Sequence, residues 1–121
     1  MIFLPQSTPT TSRDLSWLDA RSAQQALAAG EVSSEQLVQF YLKQIATHNQ
    51  QGHQLHAITD INPDALAQAK VLDQERAAGK IRSPLHGLPV VLKANIATAD
   101  QMPTTAGALA LRAGEGAALV A

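Results

Sequence analysis

The sequence predicts an α/β fold: one end of a layered domain whose sheet is incomplete within these 121 residues. Three observations carry that reading. A Pro- and Gly-rich turn, Pro84-Leu85-His86-Gly87, feeds the unbroken apolar run Leu88-Pro89-Val90-Val91-Leu92, the texture of a strand buried on both faces. Three other segments carry helix caps and apolar stripes. Only two segments read as strands, and a strand buried on both faces needs neighbours on both edges, which two strands cannot supply. The chain divides into a flexible arm, residues 1–15, and the N-terminal part of one domain, residues 16–121.

In the arm, Ser7 to Ser12 is a run of Ser, Thr and Pro that favours extended, solvated backbone. Trp17 and Leu18 are placed to staple the arm to the body. A first helix is expected from Asp19 to Ala29, with Asp19 or Ser16 as N-cap and Gly30 as its stop. A second starts at Ser33 or Ser34. Gln36 stands three residues after Ser33 in a capping-box spacing, and Leu37, Tyr41 and Ile45 with Val38 and Leu42 form a stripe to Thr47. The short link through Gly30 makes the pair a compact corner.

His48 to Gln54 is a polar loop, and Leu55 to Ile61 reads as a short strand. Asn62-Pro63-Asp64 opens a third helix: Asn caps, Pro occupies the first turn, and the acid meets the positive end of the dipole. It runs to Ala78 and stops at Gly79. The buried strand follows, then an irregular loop from Thr98 to Thr105. Thr105 caps a short helix across Ala106 to Leu111, and a further helix is expected to begin near Gly114.

Apolar residues make up 45% of the chain but aromatics only 3%, so the core must be built from Ala, Leu, Val and Ile. The formal net charge is −1. Neither a nucleic-acid footprint nor a polybasic membrane anchor is present in that pattern. The chain has no cysteine, which excludes disulfides, thiolate nucleophiles and cysteine metal sites. No stretch approaches the roughly 20 apolar residues of a membrane span. Met1 to Pro9 lacks a basic flank and is interrupted by Pro5 and Pro9, so it fails as a secretory signal. The expectation is a soluble, cytoplasmic protein.

His53 and His56 are three apart with His48 nearby, but a loop residue and a strand residue do not share a helical face, and no carboxylate is suitably spaced for a metal. No metal site and no cofactor is predicted. His86 reads as a turn histidine holding a backbone hydrogen bond rather than as a general base. Asp73, Glu75 and Arg76 read as a solvated helix face. No phosphate-cradling glycine loop is present. Lys93 stands where the buried strand runs out, which is where catalytic groups gather in open α/β sheets. On spacing alone the plainer reading is favoured, a stem covered by the strand end and an ammonium in water.

Residues 82–111, from Arg82-Ser83-Pro84-Leu85-His86-Gly87 through Lys93-Ala94-Asn95-Ile96 to Thr104-Thr105-Ala106-Gly107 and Leu111, resemble the lysine segment of the amidase signature family. That family carries a "PLHGIPVLLKDNI" stretch followed by a threonine-alanine-glycine motif. Asn62-Pro63-Asp64-Ala65-Leu66 and Asp73-x-Glu75-Arg76 also resemble family features, and the likeness is to members of the peptide-amidase type. It spans residues 17–121. The resemblance implies an α/β/α fold with a mixed sheet flanked by helices, of which this chain is the N-terminal portion. It implies hydrolysis of carboxylic amides and makes Lys93 the counterpart of the catalytic lysine, which acts with a serine nucleophile and a second serine in a cis peptide. A free lysine is unprotonated at pH 7 in only about one molecule in 2500. Burial disfavours the charged form, and a neutral lysine draws a proton through the second serine as the first attacks the amide carbon. Backbone N–H groups would hold the oxyanion.

Two departures stand out. Where the family has "KDNID", this chain has Lys93-Ala94-Asn95-Ile96-Ala97, with both acids replaced by alanine. The glycine- and serine-rich segment that supplies both serines lies downstream in the family, beyond Ala121. Ser7, Ser12, Ser16, Ser22, Ser33, Ser34 and Ser83 all precede Lys93 in arm, cap or turn positions. The expectation is the lysine-bearing part of an amide hydrolase, inactive alone, whose completed form takes a small amide or peptide amide. No nucleic acid or membrane partner is expected. The alternative is a non-catalytic remnant that self-associates, or pairs with a homologue, through an open sheet edge.

Overall fold

The computed structural model describes residues 14–112. A 3-10 turn at Leu15–Trp17 leads into α1 (Ala20–Ala28), α2 (Ser34–His48), α3 (Ala65–Ala77) and the short α4 (Leu109–Arg112). Most of the predicted arm and the helix expected near Gly114 lie outside the described residues. Of the two residues placed to staple the arm, Leu18 packs on the core while Trp17 is 88% exposed.

The α1–α2 corner forms because both of its ends are encoded locally. The Asp19 carboxylate accepts the Ser22 amide at 2.7 Å to start α1. At the far end the amides of Gly30 and Glu31 return to the carbonyls of Leu27 and Ala26, a Schellman closure that requires the left-handed conformation Gly30 adopts. Ser33 and Gln36 then make a reciprocal capping box on α2. Folding this corner buries Ala26, Leu27, Val32 and Leu37, with Leu15, Leu18, Tyr41 and Leu88 packed around them. Leu27 and Leu37 are fully enclosed, each contributing about 1.5–3 kcal/mol. The core is small and aliphatic, as the composition requires.

Helix α3 packs on α2 and also completes its N-terminus. Asp73, at mid-helix, accepts the amides of Ser34 at 2.8 Å and Glu35 at 3.0 Å. With Ser33 Oγ taking the Gln36 amide, the exposed donors of the first turn of α2 are matched. Asp73 is therefore not the solvated residue that its local pattern indicates. Asn62 holds the approach to α3 rather than its cap position: its side chain accepts the Asp64 amide and its carbonyl the Ala65 amide. Asp64 occupies the cap position without a capping bond, and its carboxylate accepts from Gln101 at 2.9 Å. The same Schellman closure as in α1 ends α3, with Gly79 and Lys80 amides on the Arg76 and Glu75 carbonyls.

No strand forms among the described residues, so the mixed sheet is not present in them, and two expectations are corrected. The first is Leu55–Ile61. Gln54 and His56 have positive φ, which breaks the alternation. The Asn49 side chain stands in for a partner strand, accepting the amides of Ala57 and Ile58 and donating to the Ile58 carbonyl at 2.7 Å. The second is the run ending at Lys93. It carries no helix or turn through Leu92 but has no ladder, and Val90 and Val91 are 69% and 76% exposed. A strand exists only through its neighbours, and residues 14–112 supply none. The apolar pattern of 88–92 marks a segment suited to burial, and no layer among the described residues covers it.

Candidate functional site

The approach to Lys93 is set by the turn before it. His86 is buried, at 4% exposure. Its Nδ1 accepts the Arg82 amide at 3.2 Å and its Nε2 lies 2.8 Å from the Leu72 carbonyl on α3. A carbonyl can only accept, so Nε2 carries the proton and the ring is the neutral Nε2–H tautomer. The His86 carbonyl in turn accepts from the Arg76 guanidinium at 2.9 Å. Gly87 follows at φ +81, where a Cβ would overlap Ser34 Oγ. Leu88 then enters the core. The turn is thus keyed to α3, α2 and the core in three consecutive residues.

Arg82 and Glu75 brace the same turn from outside through a two-pronged ion pair. The Arg82 guanidinium holds the Glu75 carboxyl below its ordinary 4.5, and Glu75 raises Arg82 in return. The local pattern of Glu75 and Arg76 is that of a solvated helix face, but neither side chain is left to solvent alone. Their partners lie seven and ten residues on in the following turn, outside helical spacing.

Beyond Leu88 the chain extends to Lys93, whose carbonyl accepts the Ile96 amide at 2.9 Å in a tight turn. The next residue, Ala94, accepts the Ala106 amide at 3.0 Å, so the lysine turn and the Thr105-Ala106-Gly107 loop touch through their main chains. Thr105 is buried, and its Oγ1 accepts the Gly107 amide. Asp100 organises the intervening loop by accepting from Thr98 Oγ1 and the Met102 amide. Gln101 ties that loop back to Asp64. Lys93 is exposed, and its amine has no ion-pair partner among the described residues.

Among the other candidates, His48 and His53 stack with ring centroids 5.1 Å apart, and no group of three metal-ligating side chains occurs among the described residues. Of the serines within the described range, Ser33 caps α2 and Ser83 Oγ accepts the Leu85 amide. Ser34 Oγ is enclosed without a partner. No helix among the described residues is long and apolar enough to cross a membrane.

Comparison with known proteins places these features. The family model described as Amidase matches residues 36–116, which include His86, Lys93 and Thr105. A protein of Arthroderma benhamiae named "Putative amidase" is 52% identical over 75 residues, 62% of this chain and 12% of that protein. A putative amidase of Schizosaccharomyces pombe is 45% identical over 82 residues, covering 68% of this chain and 14% of the relative. The crystal structure of native peptide amidase from Stenotrophomonas maltophilia superposes with a TM-score of 0.79 at 43% identity, over 83% of this chain and 20% of that enzyme. The chain therefore spans between 12% and 20% of the length of these relatives.

Proposed function

This chain belongs to the amidase family, and on that premise we propose that it supplies the proton-accepting lysine, Lys93, of a carboxylic-amide hydrolase. The observation that carries the reading is the Ala106 N–H bond to the Ala94 carbonyl. It sets the residue after the lysine against the threonine-alanine-glycine loop, the two segments on which the resemblance to the family rests.

In this reading the completed site works by a serine nucleophile, a second serine in a cis peptide, and Lys93. A neutral Lys93 takes a proton by way of the second serine while the first serine attacks the amide carbon, and main-chain amides hold the resulting oxyanion. Both serines belong to sequence outside these residues. Polypeptide equivalent to the remainder of an amidase would cover Val90–Leu92 and close around the lysine, lowering the dielectric as the mechanism requires. The substrate is a small amide or a peptide amide.

The test is ammonia release from a peptide amide. The chain alone should release none above blank. Joined in frame to the serine-bearing remainder of a peptide amidase, it should turn over, and Lys93→Ala should lower the rate by about 10²–10⁴-fold. Turnover undiminished by that substitution would refute the assignment of Lys93. Release of ammonia by the chain alone would refute the requirement for the remainder.

One observation favours a second reading, in which the chain associates with a copy of itself or a homologue instead of catalysing. Val90 to Leu92 are exposed and extended, with no main-chain hydrogen bonds among the described residues, and such an edge is a template for strand pairing. Size-exclusion chromatography with light scattering decides it. A monomer at every concentration tried speaks against this second reading.

A further inference from the structure

We infer that His86 is a positioning residue for Lys93: a latch, working only as the neutral Nε2–H imidazole, that fixes where the lysine segment leaves the helical corner. The inference rests on the reading of Lys93 as the proton acceptor and adds the element that aims it.

Three features of the turn lead there. The buried ring bonds to the main chain of α3, through Nε2 to the Leu72 carbonyl, and also closes its own turn, through Nδ1 to the Arg82 amide, whereas Arg82 reaches α3 only at the Glu75 side chain. The Arg76 guanidinium adds a second bond from α3 to the His86 carbonyl. After Leu88, residues 89–92 make no hydrogen bond to the rest of the described chain. The direction of that free run is therefore set by its near anchor at His86–Leu88 and its far anchor, where Ala94 meets Ala106.

The side-chain chemistry is specific to histidine. The two bonds use opposite edges of one ring, one accepting and one donating. Glutamine can imitate the donor and asparagine the acceptor, but neither reproduces both spans. A second ring proton would set N–H against the Arg82 N–H and open the latch. The charged groups bonded to this turn are Arg76 and Glu75 from α3 and Arg82 of the turn itself, with Glu75 already engaged by Arg82. Lys80 beyond α3 also acts on Glu75, and the Asp73 carboxylate of α3 is occupied by the Ser34 and Glu35 amides. On α2 the turn meets the uncharged Ser34 through Gly87.

The experiment is NMR on the isotope-labelled 121-residue chain, which needs no enzymatic activity. In the wild type at neutral pH, the His86 ring nitrogens should report a single Nε2–H tautomer with a slowly exchanging proton. His86→Leu, which keeps bulk but removes both bonds, should leave the Leu27 and Leu37 amides protected. The same substitution should release residues 90–93 to free-chain relaxation and speed exchange at the Ile96 and Ala106 amides about tenfold or more. His86→Gln, which restores the donor, should recover part of that order. Wild-type-like signals from Lys93 to Ile96 in the leucine variant would overturn the inference. So would an averaged or Nδ1–H ring in the wild type, a reading that stands even if the leucine variant does not fold. Lys93→Ala should leave the ring signals unchanged, so loss of the catalytic reading, seen only in ammonia release, is separable from loss of the latch.

Discussion

The carboxylate of Asp73 accepts the backbone amide of Ser34 at 2.8 Å across 39 residues of sequence, and its second oxygen takes Glu35 at 3.0 Å. One helix thereby caps another. The bond also fixes Ser34 at the place where Gly87 passes, so α3 locates both α2 and the turn that leads to Lys93. These few polar bonds, set beside a core of four aliphatic side chains, carry much of the tertiary specificity.

Asp73→Ala should destabilise the chain by about 2–3 kcal/mol, because two charge-assisted bonds are lost and two helix-terminal amides lose their acceptor. Asp73→Asn should cost less, since one oxygen still accepts. Urea unfolding midpoints at unchanged slope measure the difference.

Gly87→Ala should cost roughly 2–4 kcal/mol, from the left-handed backbone and the overlap with Ser34 Oγ. Ser34→Ala removes an enclosed hydroxyl that has no partner and should be neutral or stabilising by up to about 1 kcal/mol. Combining the two should cost less than the sum of the separate effects. Strict additivity in a double-mutant cycle would show that the two residues do not meet.

Asn49→Ala should lower stability by about 2–3 kcal/mol through three lost bonds. Exchange at the Ala57 and Ile58 amides should rise more than exchange at the Leu37 amide. Asn49→Asp keeps the acceptor but turns a carboxylate oxygen toward the Ile58 carbonyl, and should not rescue the segment.

Acid should loosen the turn before Lys93 through Glu75. Its folded-state pKa lies below the ordinary 4.5, with the Arg82 hydrogen bonds as the main cause. A depressed carboxyl stabilises the folded state fully above its unfolded value, and that contribution is lost as pH falls through the folded value. The melting temperature should therefore drop below about pH 4.5. Glu75→Gln should be less stable at neutral pH and flatter across that acid range, and 1 M salt should reduce the difference between the two chains. An unchanged acid slope in the variant would remove Glu75 from the account.

The sequence by itself determined much of what lies within about one helical turn: a cap for α1 at Asp19 or Ser16, of which the structure uses Asp19, the Ser33–Gln36 box on α2, the glycine stops after α1 and α3, and His86 as a turn residue bonded to the nearby Arg82 backbone. Each depends on contacts three to five residues apart, so local pattern suffices. It also marked the lysine segment and the threonine loop as resembling one family, to which the chain belongs. Only the tertiary structure showed that Asp73 caps α2, that Arg76 and Glu75 hold the turn, and that Ala94 meets Ala106, because these partners come together only when helices pack. It also decided that neither predicted strand forms here. A helix closes its own hydrogen bonds, whereas a strand must borrow them from a neighbour. Asn49 takes the neighbour's place for residues 57 and 58, and nothing in residues 14–112 does so for Val90 to Leu92.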